Sequence, residues 1–191
     1  TTPAHYPAPP RSYLLVNDGR GRFVDATQTL APAAMGPGLV TDCRFTDLDG
    51  DKDADLLVSG EWMKLTWFRN DGGHFIDASK DAGLEDTHGW WYSCATADVN
   101  GDGHMDIIGG NLGWNSKFHA TKEHPLHVYR ADFDDNGRSD IVLAKEKNGT
   151  QLPVRGRECS SQQCPMILDK FPTYAEFANS DLAGIYTQEK L

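Results

Sequence analysis

The chain has 191 residues, with 18 Lys and Arg against 28 Asp and Glu, and a formal net charge of −10. That balance argues against a nucleic-acid partner, which requires basic patches, and no run approaches the ~18–20 consecutive apolar residues of a membrane-spanning helix. At 39% hydrophobic, the chain has apolar material for one globular unit with a core.

The first predicted element is a hairpin over residues 13–27: an apolar strand, an Asn-Asp-Gly turn beginning at Asn17, and a second strand through Phe23 and Asp25. A strand around Cys43–Thr46 then enters an acidic nonapeptide, Asp-Leu-Asp-Gly-Asp-Lys-Asp-Ala-Asp at 47–55, and Leu56–Ser59 leads out of it. Residues 62–69 and 74–78 read as a further strand pair, and here Asn70, Phe75 and Asp77 match Asn17, Phe23 and Asp25. From Ser93–Ala97 the inner hairpin repeats around Asp-Val-Asn-Gly-Asp-Gly-His-Met-Asp at 98–106. A third copy, Asp-Phe-Asp-Asp-Asn-Gly-Arg-Ser-Asp at 132–140, comes 34 residues after the second. The second unit has therefore lost or shortened its outer hairpin, and Asn111–Pro125 fills that space as an irregular excursion. From about Ser160 the pattern turns helical. Thr173 and Glu176 form a capping-box signature after Pro172, and Ser180–Tyr186 reads as another short helix.

The offset between the two Asn-Asp-Gly turns is 53 residues, and between the first two acidic loops it is 51. A period of this size with four strands per unit indicates propeller blades. The expected class is all-β: β-propeller blades, partial or completed by oligomerisation, over residues 1–159. Residues 160–191 are expected to add two or three short helices packed on the blades or docked on a partner.

Each nonapeptide carries oxygen-bearing side chains at positions 1, 3, 5 and 9. Calcium takes six to eight oxygens at about 2.3–2.6 Å, and a tightly wrapped backbone brings alternate residues toward one point. The expected ligands are Asp47, Asp49, Asp51 and Asp55; Asp98, Asn100, Asp102 and Asp106; and Asp132, Asp134, Asn136 and Asp140. Position 7 is free to vary if it offers only a backbone carbonyl, and it is Asp53, His104 and Arg138. Position 6 suits a left-handed glycine; it is Gly103 and Gly137, with Lys52 as the departure. An EF-hand needs a bidentate Glu at position 12 and flanking helices, whereas position 12 here is Val58, Gly109 and Leu143. The residues after position 9 are short, β-branched, strand-like runs. About three structural calcium ions are expected, offsetting six of the ten net negative charges.

These loops, with their following Asp-aliphatic runs and the Asn-Asp-Gly…Phe-Xaa-Asp-Ala-Thr/Ser hairpins, resemble FG-GAP/VCBS-type repeats, the repeats of integrin α-subunit propellers and of many secreted bacterial proteins. The stretch from Gly110-Asn-Leu-Gly-Trp-Asn-Ser-Lys-Phe onward, with Arg155-Gly-Arg-Glu-Cys-Ser-Ser161 and Lys170-Phe-Pro-Thr-Tyr174, is similar to a segment of large bacterial proteins that often carry an ASPIC/UnbV domain. The resemblance implies a propeller with calcium in the inner hairpin of each blade, used for recognition or scaffolding, and an extracytoplasmic location: secreted, cell-surface or periplasmic. The length yields fewer than four blades where family propellers usually have more. A piece of a larger protein, a processed form or a half completed by self-association is therefore expected, with a protein or carbohydrate ligand left open.

Cys43 and Cys94 occupy equivalent points on neighbouring inner strands and fit either buried small side chains or a disulfide; Cys159 and Cys164 fit a local disulfide. Trp62, Trp90, Trp91 and Trp114 read as inter-blade packing or a sugar-stacking platform. Asn148-Gly-Thr150 is an acceptor sequon. No nucleophile elbow, phosphate loop or catalytic carboxylate pair appears outside the acidic loops. The alternative function is a polysaccharide lyase or hydrolase domain on a calcium-bearing propeller, with Tyr129, Arg130, Arg155 and Arg157 converging near the His119–His127 segment.

Overall fold

In the computed structural model, which describes residues 5–191, the Asn17 turn joins β1 (Leu15–Asn17) to β2 (Phe23–Asp25) in antiparallel register, with Asn17 opposite Phe23. Asn17 Oδ1 accepts the Gly19 N–H at 2.9 Å, and Gly19 lies at φ +77°, a conformation glycine enters without a Cβ penalty. Two short helical pieces follow that the sequence reading passed over, α1 (Thr27–Leu30) and a 3-10 turn at Pro32–Met35. Thr27 is buried. Its hydroxyl donates to Asp25 and accepts the Leu14 N–H at 2.7 Å, so the chain leaves the hairpin along a fixed path.

Four antiparallel strands come next: β3 (Leu39–Thr46), β4 (Asp55–Met63), β5 (Thr66–Asp71) and β6 (His74–Asp77). β4 is the central strand, and its first six residues are all buried. Leu56 and Val58 pack with Met63, Phe68, Phe75, Ala31 and Ala34, while Leu57 between them is fully buried as well. Such a strand reads as a continuous apolar run because both of its faces are covered. Gly60 fits because a Cβ there would meet the Leu39 carbonyl. The expected strand at 62–69 is corrected by the structure: Trp62 and Met63 finish β4, and β5 begins at Thr66. A register shift between Glu61 and Met63 puts Trp62 at φ +60° and lets the end of β4 pair with β7 (Gly89–Ala97). β7 pairs in turn with β8 (Asp106–Asn111). One sheet thus holds β3 through β8, and residues 8–115 form the first of two structural units.

The second unit comprises residues 116–191 and, among the described residues, residues 5–7. No strand or helix is assigned in residues 112–125, as expected for the excursion. β9 (Leu126–Ala131), β10 (Asp140–Lys147) and β11 (Thr150–Pro153) then make an antiparallel sheet. Asn148 and Gly149, at φ +53° and +75°, turn β10 into β11; this Asn-Gly pair, which is also part of the sequon, is the strongest short hairpin signal a sequence carries. The helical segment is richer than expected and starts earlier, with α2 (Arg157–Gln163), α3 (Met166–Lys170), α4 (Tyr174–Ala178), α5 (Leu182–Tyr186) and a 3-10 turn at Gln188–Lys190. The capping box forms: Thr173 Oγ1 accepts the Glu176 N–H at 3.2 Å, and Glu176 accepts the Thr173 N–H at 2.9 Å. Phe133, Val142 and Ala144 of the strand region share one core with Cys164, Ile167, Phe171, Phe177, Leu182, Ile185 and Tyr186. Each helix has seven residues or fewer, too short to stand alone in water. Their order comes from this apolar contact.

Candidate metal centre

All three acidic loops join paired strands in the same register. The residue just before position 1 faces position 9 across the ladder, as Thr46 to Asp55, Ala97 to Asp106 and Ala131 to Asp140. Each loop therefore closes an antiparallel hairpin, and no helix flanks it on either side.

Inside each loop the side chains fold back onto the backbone in one shared pattern. The position 1 carboxylate accepts the N–H of position 6, from Lys52 at 3.0 Å, Gly103 at 2.9 Å and Gly137 at 2.8 Å. The position 3 oxygen accepts the N–H of position 5, from Asp51 at 3.3 Å, Asp102 at 2.9 Å and Asn136 at 3.3 Å. Position 5 accepts the N–H of position 7, from Asp53 at 2.7 Å and from His104 and Arg138 at 2.8 Å. Position 9 accepts the N–H of position 2, from Leu48 at 3.0 Å and from Val99 and Phe133 at 2.9 Å. The side chains of Asp53, His104 and Arg138 face solvent. Positions 4 and 6 are both left-handed: Gly50 and Lys52 at +83° and +78°, Gly101 and Gly103 at +77° and +86°, Asp135 and Gly137 at +59° and +81°. Sequence reasoning identified position 6 and missed position 4. Its signal was present, because Gly and Asp are the residues that tolerate this conformation.

The structure brings Asp47, Asp49 and Asp51 together in the first loop, and Asp132, Asp134 and Asp140 in the third, with one oxygen from each within 4.8 Å of the others. Asp55 stands outside its cluster. It is fully buried, and its Oδ2 accepts the Leu48 N–H while its Oδ1 accepts the Asn70 N–H at 2.8 Å. In the second loop Asn100 turns its amide toward Asp102 at 3.0 Å. The electrostatics separate the loops too. Partial desolvation pushes the Asp49 carboxyl up, with the neighbouring charges of Asp55, Asp51 and Asp47 adding to it. Burial pushes Asp140 up, with Asp134 and Asp132 adding. Asp98 is held below the ordinary carboxylate range, first by the Gly103 N–H, and Asp102 likewise by the His104 N–H. Carboxylates crowded by like charges favour a proton or a cation. An all-oxygen donor set of this kind fits a hard divalent ion and not a soft one.

The third loop has supports that local sequence could not reveal. The Cys164 thiol is fully buried against Asp140, and burial followed by that carboxylate pushes it up to about 12, so it stays a protonated donor. Lys190, 55 residues from Asp135, donates to the Asp135 carboxylate at 2.6 Å and to the Phe133 carbonyl at 3.3 Å. The Tyr186 ring packs 4.9 Å from Phe133.

The other candidate residues serve varied ends. All four cysteines are free thiols; Cys94 is buried while Cys43, its repeat equivalent, is exposed. Trp62 and Trp90 meet edge to face at 4.9 Å, and Trp114 is exposed. Of the alternative catalytic set, Tyr129 donates to Gln151 at 2.7 Å, and Arg157 donates to the carbonyls of Phe171 and Pro172 while stacking over Tyr174. Arg130, Arg155, His119 and His124 are exposed.

Residues 47–109 match the FG-GAP-like repeat family, and residues 90–129 match the FG-GAP repeat family. Cartilage acidic protein 1 of Mus musculus is 32% identical over 103 residues, which is 53% of this chain and 14% of that protein. Its Homo sapiens counterpart is 40% identical over 63 residues, 32% of this chain and 9% of that protein. The chain thus spans a small part of the curated relatives it matches.

Proposed function

This chain carries FG-GAP repeats of the integrin-α type, and on that premise we propose that it is a calcium-stabilised β-propeller repeat module serving extracellular recognition, adhesion or scaffolding. The observation that carries the reading is the hydrogen-bond pattern repeated in all three loops. Backbone N–H groups fix the side chains of positions 1, 3, 5 and 9 in each loop, and one oxygen each of Asp47, Asp49 and Asp51, and of Asp132, Asp134 and Asp140, come within 4.8 Å of one another. Asp47, Asp49, Asp51 and Asp55 would hold one ion; Asp98, Asn100, Asp102 and Asp106 a second; Asp132, Asp134, Asn136 and Asp140 a third. The backbone carbonyls of Asp53, His104 and Arg138 would add to each set. Bound calcium supplies positive charge that lets crowded carboxylates ionise together. The loops contribute rigidity: both ends of each are pinned to a strand ladder, so the ion acts as a staple and not as a switch. The likeness to cartilage acidic protein 1 supports an extracellular setting. No helix among the described residues is long and apolar enough to cross a membrane.

Calorimetric titration of chelator-stripped protein with calcium tests this directly. Three sites are expected, and a stoichiometry of zero or one overturns the reading. Calcium at a hundredfold excess over Kd should add about 2.7 kcal/mol per site to the folded state. Chelation should therefore lower the melting temperature, and an unchanged melting curve counts against a structural role.

A further inference from the structure

Position 2 of each acidic loop lies between two of the residues assigned to the ion, and its burial differs from loop to loop. Leu48 is half-buried, Val99 is 66% exposed and Phe133 is 3% exposed. All three share one backbone role, donating an N–H to the carboxylate of position 9. Phe133 is gripped by the helical segment as well. Its ring lies 4.9 Å from that of Tyr186 and shares one core with Ile167, Leu182 and Ile185. Its carbonyl accepts Lys190 Nζ at 3.3 Å, and the same ammonium reaches Asp135 two residues on. Just past position 9, Gln163 of α2 donates to the Ile141 carbonyl at 3.2 Å. Asp132 and Asp134 flank Phe133 in the chain, and their oxygens cluster with one of Asp140, whose Oδ2 accepts the Phe133 N–H at 2.9 Å. One residue is thus bonded to position 9, covalently joined to positions 1 and 3, and buried among the helices.

We propose, on the premise that the loops hold calcium, that Phe133 is the positioning residue of the third site, and that filling this site and docking α2–α5 stabilise each other through it. A ring set in a close-packed core cannot turn without disturbing its neighbours. The backbone on both sides of it, which carries Asp132 and Asp134, is therefore fixed while the helices are docked. When they undock, the ion must order those two carboxylates itself, and that cost lowers its affinity. Coupling of this kind is reciprocal, so an ion that prefers the docked form shifts the helices toward it. The helices are short enough for that shift to matter, since they hold their shape only against this core. The second loop is an internal control: Val99 makes the same N–H bond to position 9, but its side chain is exposed.

Hydrogen exchange of the full chain with and without calcium, read by mass spectrometry, tests the coupling alongside calorimetric titration. Calcium should slow exchange across α2–α5 by about tenfold or more, a factor usual for coupled sites. Asp132→Asn with Asp134→Asn should abolish that slowing, while Asp98→Asn with Asp102→Asn should leave it in place. In the titration, Phe133→Ala should weaken one of three sites by a similar factor, Phe133→Leu should recover most of the loss, and Val99→Ala should change none. The Asp132 and Asp134 exchanges leave the core side chains untouched, so they decide the matter even if Phe133→Ala unfolds the second unit. Exchange in α2–α5 that ignores calcium in a parent binding three ions, slowing that survives the loss of Asp132 and Asp134, or three unchanged sites in a folded Phe133→Ala each overturn the coupling and leave the calcium reading standing. A parent that binds no calcium overturns both.

Discussion

The first and third acidic loops share nine-residue geometry but are held from outside by different means. Position 9 of the first, Asp55, is anchored by the next strand of its own blade through the Asn70 N–H. Position 9 of the third, Asp140, is anchored by a thiol from the helical segment, and Lys190 clasps the same loop at its tip. The fold of the loop is therefore local and transferable, whereas its support is whatever the chain brings to the open side of the ladder. A hairpin fills that role in one repeat and a cluster of short helices in another.

Removing position 9 should separate the two supports most strongly. In calcium-free buffer, Asp55→Ala is expected to cost about 3 kcal/mol, because two part-buried N–H groups lose their acceptor at about 1–3 each. Asp140→Ala should cost less, about 2 kcal/mol, since one of its two donors is a weak thiol. Urea unfolding measures both, and equal losses would erase the distinction. Backbone conformation comes next. Gly137→Ala should destabilise by about 1–2 kcal/mol, the cost of a Cβ in the left-handed region. Lys52→Gly in the first loop should stabilise by under about 1 kcal/mol, because the relieved strain is partly offset by greater unfolded-chain freedom. A loss of stability at Lys52→Gly would show that the lysine side chain contributes to the loop. Lys190→Ala should cost only about 0.5 kcal/mol in the same urea unfolding, as expected for an exposed ion pair.

The smallest effect is acid-dependent. The Thr173 N–H holds the Glu176 carboxyl below its ordinary 4.5. A carboxyl lowered on folding contributes stability that is present above its unfolded value and lost as pH falls through its folded one. The difference in melting temperature between the parent and Glu176→Gln should be full at neutral pH and shrink below pH 4.5. Acid thus loosens the helices that cover the third loop. A difference independent of pH would mean that the cap does not act through its charge.

Much of this arrangement was legible in the sequence because its causes are local. An Asn-Asp-Gly turn and a Thr-x-x-Glu cap each specify their geometry within a few residues, and both form where the sequence places them. Cys43 shows where locality ends. It shares a repeat position with Cys94, yet one is exposed and the other buried, because burial depends on which neighbouring strand is present. Cys164 and Lys190 likewise reach the third loop only once the tail has packed, which no spacing rule encodes. β11 differs in kind from these: its turn is local, since Asn148-Gly149 is a hairpin signal in its own right as well as part of a sequon.

Position 7 of each loop engages the turn through its backbone N–H and leaves its side chain in solvent. That division frees one site per loop to carry any charge without disturbing the oxygens proposed to hold calcium. The chain has used the freedom in full, with an acid at Asp53, an imidazole at His104 and a guanidinium at Arg138. At the proposed sites each would set the field that an approaching cation meets, drawing it in at the first loop and opposing it at the third. The three proposed calcium centres would thus be graded in affinity by side chains outside the coordination set, and rising ionic strength, which screens exposed charges over about 8–10 Å, should draw those affinities together.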